Sequence, residues 1–184
     1  VSGTEELEVL TTVTGWLTAA GIPYMVTGSF AANYYAVPRM TRDIDLVVEL
    51  SAADADRVCA LFEADFYLER DAVREAIATR GAFNLIHQAY VLKVDCIVRK
   101  DGEYRLTEFA RRRHVTIERH DVAIVAPEDL IISKLDWMRT SRSEVQLADV
   151  RNLLRSVPGL DREYLERWTG RLGLEALYRE ARDA

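Results

Sequence analysis

The sequence predicts an α/β part followed by a wholly helical part, dividing near residue 126. Three observations carry this. Short segments between residues 22 and 125 alternate apolar residues with period two, stretches with three- and four-residue apolar spacing intervene, and from Pro127 onward only the helical spacing remains.

In chain order, Leu7, Leu10, Val13 and Leu17 predict a helix over residues 4–20, stopped by Gly21. Ile22–Thr27 reads as a strand, Ser29–Val37 as a helix ended by Pro38, and Asp43–Glu49 as a second strand. Ser51 with Asp54 three residues later forms a capping-box signature that opens a helix to about Ala64. Phe66–Glu69 is a short strand, Asp71–Thr79 a helix closed by Gly81, and Phe83–His87 with Tyr90–Val98 an antiparallel pair. A helix over Glu103–Arg112 and short strands at Val115–Ile117 and Val122–Val125 complete the first part. Helices follow at Pro127–Arg139, Glu144–Arg155, Arg162–Trp168 and Leu174–Arg182. No linker-like stretch separates the parts, so residues 1–126 are expected to form a core on which residues 127–184 pack.

Composition narrows the function classes. A net charge of −6 argues against a protein whose main work is coating nucleic acid, which needs a basic surface. No stretch approaches the roughly 18 uncharged apolar residues of a membrane helix, and the acidic N-terminal sequence is unlike a signal peptide, so a cytoplasmic location without membrane contact is expected. Cys59 and Cys96 are far apart and read as buried thiols. His87, His114 and His120 show no ligand spacing.

Chemistry gathers on the strands. In Asp43–Glu49, Ile44, Leu46 and Val48 share one face while Asp43, Asp45 and Val47 share the other. Two carboxylates about 6.5–7 Å apart at Cα, from two strand rises, can converge on divalent cations. An exposed edge strand would explain the same pair in isolation. The later strand repeats the pattern, however: Lys93, Asp95 and Ile97 share the face opposite Leu92, Val94, Cys96 and Val98. Asp is disfavoured within strands, so three such residues suggest a site. Gly28-Ser29 stands where a strand meets a helix, and the free N–H groups of a helix start can receive phosphate oxygens, although Ser is also an ordinary N-cap.

Gly28-Ser29, Asp43-Ile44-Asp45 and Asp95 within KVDCIV resemble the nucleotidyltransferase superfamily that includes DNA polymerase beta, CCA-adding enzymes, aminoglycoside nucleotidyltransferases and the abortive-infection toxin group. The resemblance covers residues 22–98, and more weakly the segment from Ala126 to Leu154, which looks like the helical part of bacterial minimal and toxin-type members. It implies a mixed β-sheet flanked by helices. It implies that Asp43 and Asp45 bind Mg²⁺ (or Mn²⁺), that Gly28 and Ser29 hold the phosphates of a nucleoside triphosphate, and that Asp95 binds the catalytic metal and helps deprotonate an acceptor hydroxyl. A nucleoside monophosphate would pass from the triphosphate to an RNA 3′ end, a protein side chain or a small molecule, with release of pyrophosphate. A cognate antitoxin or toxin partner belongs to the toxin-like branch, which the thirteen residues between Ser29 and Asp43 favour. The alternatives are a non-catalytic nucleotide-binding or toxin–antitoxin module, and a structural domain with solvated aspartates. Val145-Gln146 departs from the Lys-Asp pair that often precedes the final Asp of the helical segment.

Further positions fit around this centre. Lys134 lies on the apolar stripe of its helix and either contacts a triphosphate, pairs with an acidic neighbour such as Asp149, or snorkels its ammonium to solvent. Lys93 meets a phosphate or tempers carboxylate repulsion. Arg39 and Arg42 flank the approach to Asp43 and read first as exposed loop arginines, although they could screen a triphosphate. Arg111-Arg112-Arg113-His114 suits a solvated helix end better than an RNA contact. Trp137 and Trp168 are expected in the core, with Tyr34 or Tyr35 near a base.

Overall fold

A computed structural model describes residues 4–183, and its centre is a seven-stranded mixed sheet in the order β3-β4-β5-β2-β1-β7-β6. The strands are β1 (Tyr24–Thr27), β2 (Ile44–Val48), β3 (Phe66–Tyr67), β4 (Ala82–His87), β5 (Lys93–Val98), β6 (Arg113–Ile117) and β7 (His120–Ile124). The α-helices are α1 (Thr4–Ala19), α2 (Gly28–Tyr35), α3 (Ala55–Phe62), α4 (Arg70–Thr79), α5 (Glu103–Ala110), α6 (Pro127–Ser141), α7 (Glu144–Ser156), α8 (Arg162–Leu172) and α9 (Glu175–Arg182). The α/β architecture with flanking helices expected from the sequence is present. Among the described residues, no helix is long and apolar enough to cross a membrane.

Differences from the expected boundaries have local causes. Ile22 is buried but belongs to the turn that ends α1: Gly21 takes a positive φ and the Ile22 N–H returns to the Leu17 carbonyl. The strand therefore starts at Tyr24. Tyr90 and Val91 form a turn in which Val91 has φ 52 and its N–H donates to the His87 carbonyl, so β5 begins only at Lys93. Asp43 flanks β2 instead of lying within it. Ser51 and Asp54 do form the reciprocal capping box, which opens a short 3₁₀ turn (Ala52–Asp54) leading into α3.

The two central strands place the chemistry. β1 and β2 are antiparallel with Thr27 opposite Asp45, and β2 and β5 are parallel with Asp45 opposite Asp95. On one side Ile44, Leu46, Val48, Val94, Cys96 and Val98 are all buried in the core. A one-residue slip would move this apolar set to the other side, so burial fixes the register that sets the aspartates side by side. Both cysteines are buried free thiols.

Candidate active site

A cavity of about 510 Å³ lies over the carboxylate side of β2 and β5, beneath α6 and beside α5. Gly28, Ser29, Asp43, Asp45, Lys93, Asp95 and Lys134 all line it; Arg42 does not, and its side chain is exposed.

Gly28 is the tightest point. It opens α2 with φ +64, and a Cβ there would stand 1.9 Å from Asp45 Oδ2 and 2.6 Å from its Cγ. Only glycine permits the backbone to pass so close to the carboxylate, and the positive φ is itself costly for other residues. Thr27, the residue before α2, makes no side-chain cap, so the first-turn N–H groups beside Asp45 have no such acceptor.

Asp45 is half-buried. Burial first, then the nearby charges of Asp95 and Asp43, push its carboxyl above the ordinary aspartate range, with Lys134 and Lys93 offsetting part of the rise. Lys93 Nζ lies 2.8 Å from Asp95 Oδ2, and this hydrogen bond raises the ammonium's own pKa. Among the described residues, no three His, Cys, Asp or Glu side chains are already drawn together as a metal cluster. The donor set nonetheless suits a hard divalent cation. The cavity offers carboxylate oxygens with no thiol or imidazole, and the mutual repulsion felt at Asp45 is what a bound cation would relieve.

A chain of polar contacts joins the helices to this centre. Lys134 is 4% exposed, and its Nζ donates to Asp149 Oδ2 at 2.8 Å and to Gln146 Oε1 at 2.9 Å. Burial pushes the ammonium's pKa down, partly opposed by Asp149. Burial likewise raises Asp149, but hydrogen bonds from Arg39 and Lys134 outweigh it and hold that carboxyl below its ordinary value. Arg39 donates through Nε to Asp149 Oδ1 at 2.9 Å and through Nη2 to Ser29 Oγ at 2.6 Å. The backbone of Arg39 is held at both its N–H and its carbonyl by the Asn33 side chain. Of the two arginines flanking Asp43, Arg39 is thus the one built into the site.

Other residues arrive by tertiary packing. Leu130, Ser133, Lys134 and Trp137 follow i, i+3, i+4, i+7 spacing, and this stripe of α6 faces the cavity. Trp137 is 60% exposed and lines the opening, so it is not the core residue expected, whereas Trp168 is buried. Arg105 and Glu108 of α5 also line the cavity. The Tyr35 hydroxyl donates to the Val125 carbonyl at 2.8 Å, and neither it nor Tyr34 lines the cavity. The basic run is engaged within the fold: Arg111 pairs with Asp129 and Glu128, Arg113 approaches Glu128, and Arg112 lies over the Phe109 ring.

No protein-family model and no curated protein matches the sequence. Solved structures are similar in fold. The antibiotic-resistance factor ANT(2'')-Ia is similar over 98% of this chain and 98% of its own, with a TM-score of 0.61 at 16% identity. The lincomycin-bound lincosamide antibiotic adenylyltransferase LnuA is similar over 85% of this chain and 99% of its own, at TM-score 0.57 and 11% identity. An antigenic nucleotidyltransferase-like protein from Paracoccidioides brasiliensis is similar over 82% of this chain and 75% of its own, at TM-score 0.56 and 18% identity. The chain has the nucleotidyltransferase fold. In this nucleotidyltransferase-fold chain, the cavity opens on the carboxylate side of the central strands, between the sheet and the helices that follow residue 126.

Proposed function

We propose that the protein transfers a nucleoside monophosphate from a nucleoside triphosphate to a hydroxyl acceptor. The observation that carries this reading is the juxtaposition of Asp45, Asp95 and the Gly28 turn: two carboxylates on neighbouring strands, with a helix start pressed against one of them. Adenylyl transfer by LnuA, and the complex of ANT(2'')-Ia with adenylyl-2''-tobramycin, are consistent with it.

Asp43, Asp45 and Asp95 would hold Mg²⁺ or Mn²⁺, which when bound supplies neutralisation of phosphate charge. The remaining work falls to the chain. The first-turn N–H groups of α2 and the Ser29 hydroxyl receive phosphate oxygens. Arg39 and Lys134, already oriented by Asp149, present fixed positive charge to the same oxygens, so little reorganisation is needed on binding. Lys93 balances charge at Asp95, and Asp95 accepts the hydroxyl proton. The acceptor oxygen bonds to the α-phosphorus, the bond from that phosphorus to the oxygen bridging to the β-phosphate breaks, and pyrophosphate leaves.

The test is incubation with each α-labelled triphosphate and Mg²⁺ or Mn²⁺ against separate pools of RNA, protein and small molecules. Label should enter one pool with stoichiometric pyrophosphate, and Asp95→Asn should reduce it by about 10³-fold. Label unchanged in Asp95→Asn would sink the mechanism. Nucleotide binding without pyrophosphate release would instead support a non-catalytic module.

A further inference from the structure

Two residues along β2 and β5 from Asp45 and Asp95, the paired Val47 and Ile97 carry the cavity lining away from the carboxylates, and Leu130, Ser133, Arg105 and Glu108 also line it. Glu108 is only 3% exposed. Ser133 Oγ donates to its Oε1, and Arg105 Nη1 donates to its Oε2 at 2.9 Å. The same guanidinium donates to Ser133 Oγ at 2.7 Å and to Asp136 Oδ2 at 2.7 Å, which locks guanidinium, hydroxyl and carboxylate in one orientation. Stability alone is a weak reason for such a group, because a buried ion pair roughly breaks even against apolar packing. One helical turn from Ser133 on the same stripe stands Trp137, an exposed aromatic surface at the opening.

We propose that this part of the cavity is the acceptor subsite and that the acceptor is a small molecule. Its ring or apolar face lies against Val47, Ile97 and Trp137, and its hydroxyl or amino groups donate to Glu108. The proposal rests on Asp43, Asp45 and Asp95 being the transfer centre.

The dimensions agree. Asp95 and Ile97 point to the same side of β5 and are about 6.5–7 Å apart at Cα, so one metabolite-sized molecule can place a hydroxyl at Asp95 and a ring over Ile97. A volume of about 510 Å³ is in the range of small-molecule sites and must also admit the triphosphate. A polynucleotide would need a basic track free to meet phosphates. Of the cavity's cations among the described residues, however, Lys93 pairs with Asp95, Arg99 with Glu49 and Asp101, Arg105 with Glu108 and Asp136, and Lys134 with Asp149, which leaves Lys100. The 111–113 arginine run is engaged with Asp129, Glu128 and the Phe109 ring.

The experiment uses the full chain and a panel of monosaccharides, amino sugars, nucleosides and ring-bearing alcohols. Binding is followed by saturation-transfer NMR, and label transfer from α-labelled triphosphate is followed in parallel. At least one panel member should bind. Trp137→Ala, at an exposed position that the fold does not need, should weaken that binding about tenfold, as loss of an aromatic anchor does. Ser133→Ala should weaken it less, and both variants should leave triphosphate affinity within about twofold. The proposal is overturned if no panel member binds, if the two variants weaken the triphosphate instead, or if label enters only RNA or protein. Panel binding that survives Asp95→Asn while no pool acquires label would uphold the subsite and defeat the transfer reading alone.

Discussion

The two sides of β2 and β5 carry opposite chemistries on the same few residues. Ile44, Leu46 and Val48 with Val94, Cys96 and Val98 are buried in the core, whereas Asp45 and Asp95, one residue out of phase, stand half-buried at the cavity. The parallel register puts Asp45 directly beside Asp95. Like charges in that position repel and aspartate is a poor strand former, and Lys93 and Lys134 offset only part of the cost at Asp45, so the cavity side on balance disfavours this pairing. The apolar side enforces it. Hydrophobic burial on one side therefore holds a repulsive arrangement on the other, the kind of local conflict that marks a working site.

Asp45→Asn separates the two sides most sharply. Transfer should fall by about 10³-fold or more, the scale for removing a group that acts on the transition state. Stability should rise at neutral pH, measured by urea unfolding with a chelator present. The sign follows from the raised carboxyl. Protonation is favoured in the folded state, so the contribution is full below the ordinary aspartate pKa and lost as pH rises through the higher folded value. Above it, the ionised group is a cost that Asn removes. A fall in stability would make Asp45 a structural residue and dissolve the contrast.

Leu46→Ala, one residue along and on the other side, should do the reverse. A fully buried leucine lost to alanine costs about 2–5 kcal/mol, read as a lower urea midpoint, with KM for the triphosphate little changed in the folded fraction. If stability held while KM rose, the core side would be part of the site.

The same contrast explains what was legible in the sequence. Period-two alternation put Asp43 with Asp45 and Lys93 with Asp95, each pair on one side of its own strand, while their convergence on one site was legible only through the family resemblance, since the β2–β5 pairing is a matter of the fold. Gly28 was legible as part of a motif, but its physical reason was not, because the approach to Asp45 Oδ2 depends on the β1–β2 register. Arg39 and Arg42 could not be ranked, since only the folded loop shows Asn33 clasping the Arg39 backbone. Trp137 sits among Leu130, Ile131 and Met138 in sequence and so looked like core, yet the α6 stripe that carries it faces the cavity. Arg105, Glu108 and Ser133 acquire their meaning only where α5 meets α6. The one early signal was Glu108 on the buried side of its helix with Tyr104, at i, i+4.

Tyr35→Phe gives the smallest expected effect and tests how the helix bearing Ser29 is held. The Tyr35 hydroxyl donates to the Val125 carbonyl at 2.8 Å, tying the far end of α2 to the chain just beyond β7. Burial pushes its pKa up to about 12. The neutral phenol is thus favoured in the folded state, so its contribution is complete below pH 10 and disappears as pH rises from 10 to about 12. Removing the hydroxyl should cost about 1 kcal/mol at neutral pH, the usual net worth of one hydrogen bond. The gap between the parent and Tyr35→Phe unfolding midpoints should then close over that alkaline interval, while transfer at neutral pH stays unchanged because the hydroxyl lies outside the cavity. A gap that persists unchanged through the interval would show that the variant disturbs packing. A loss of transfer without a loss of stability would show that α2 positions Ser29 through this tether, and the carboxylate side would then depend on more than the core beneath it.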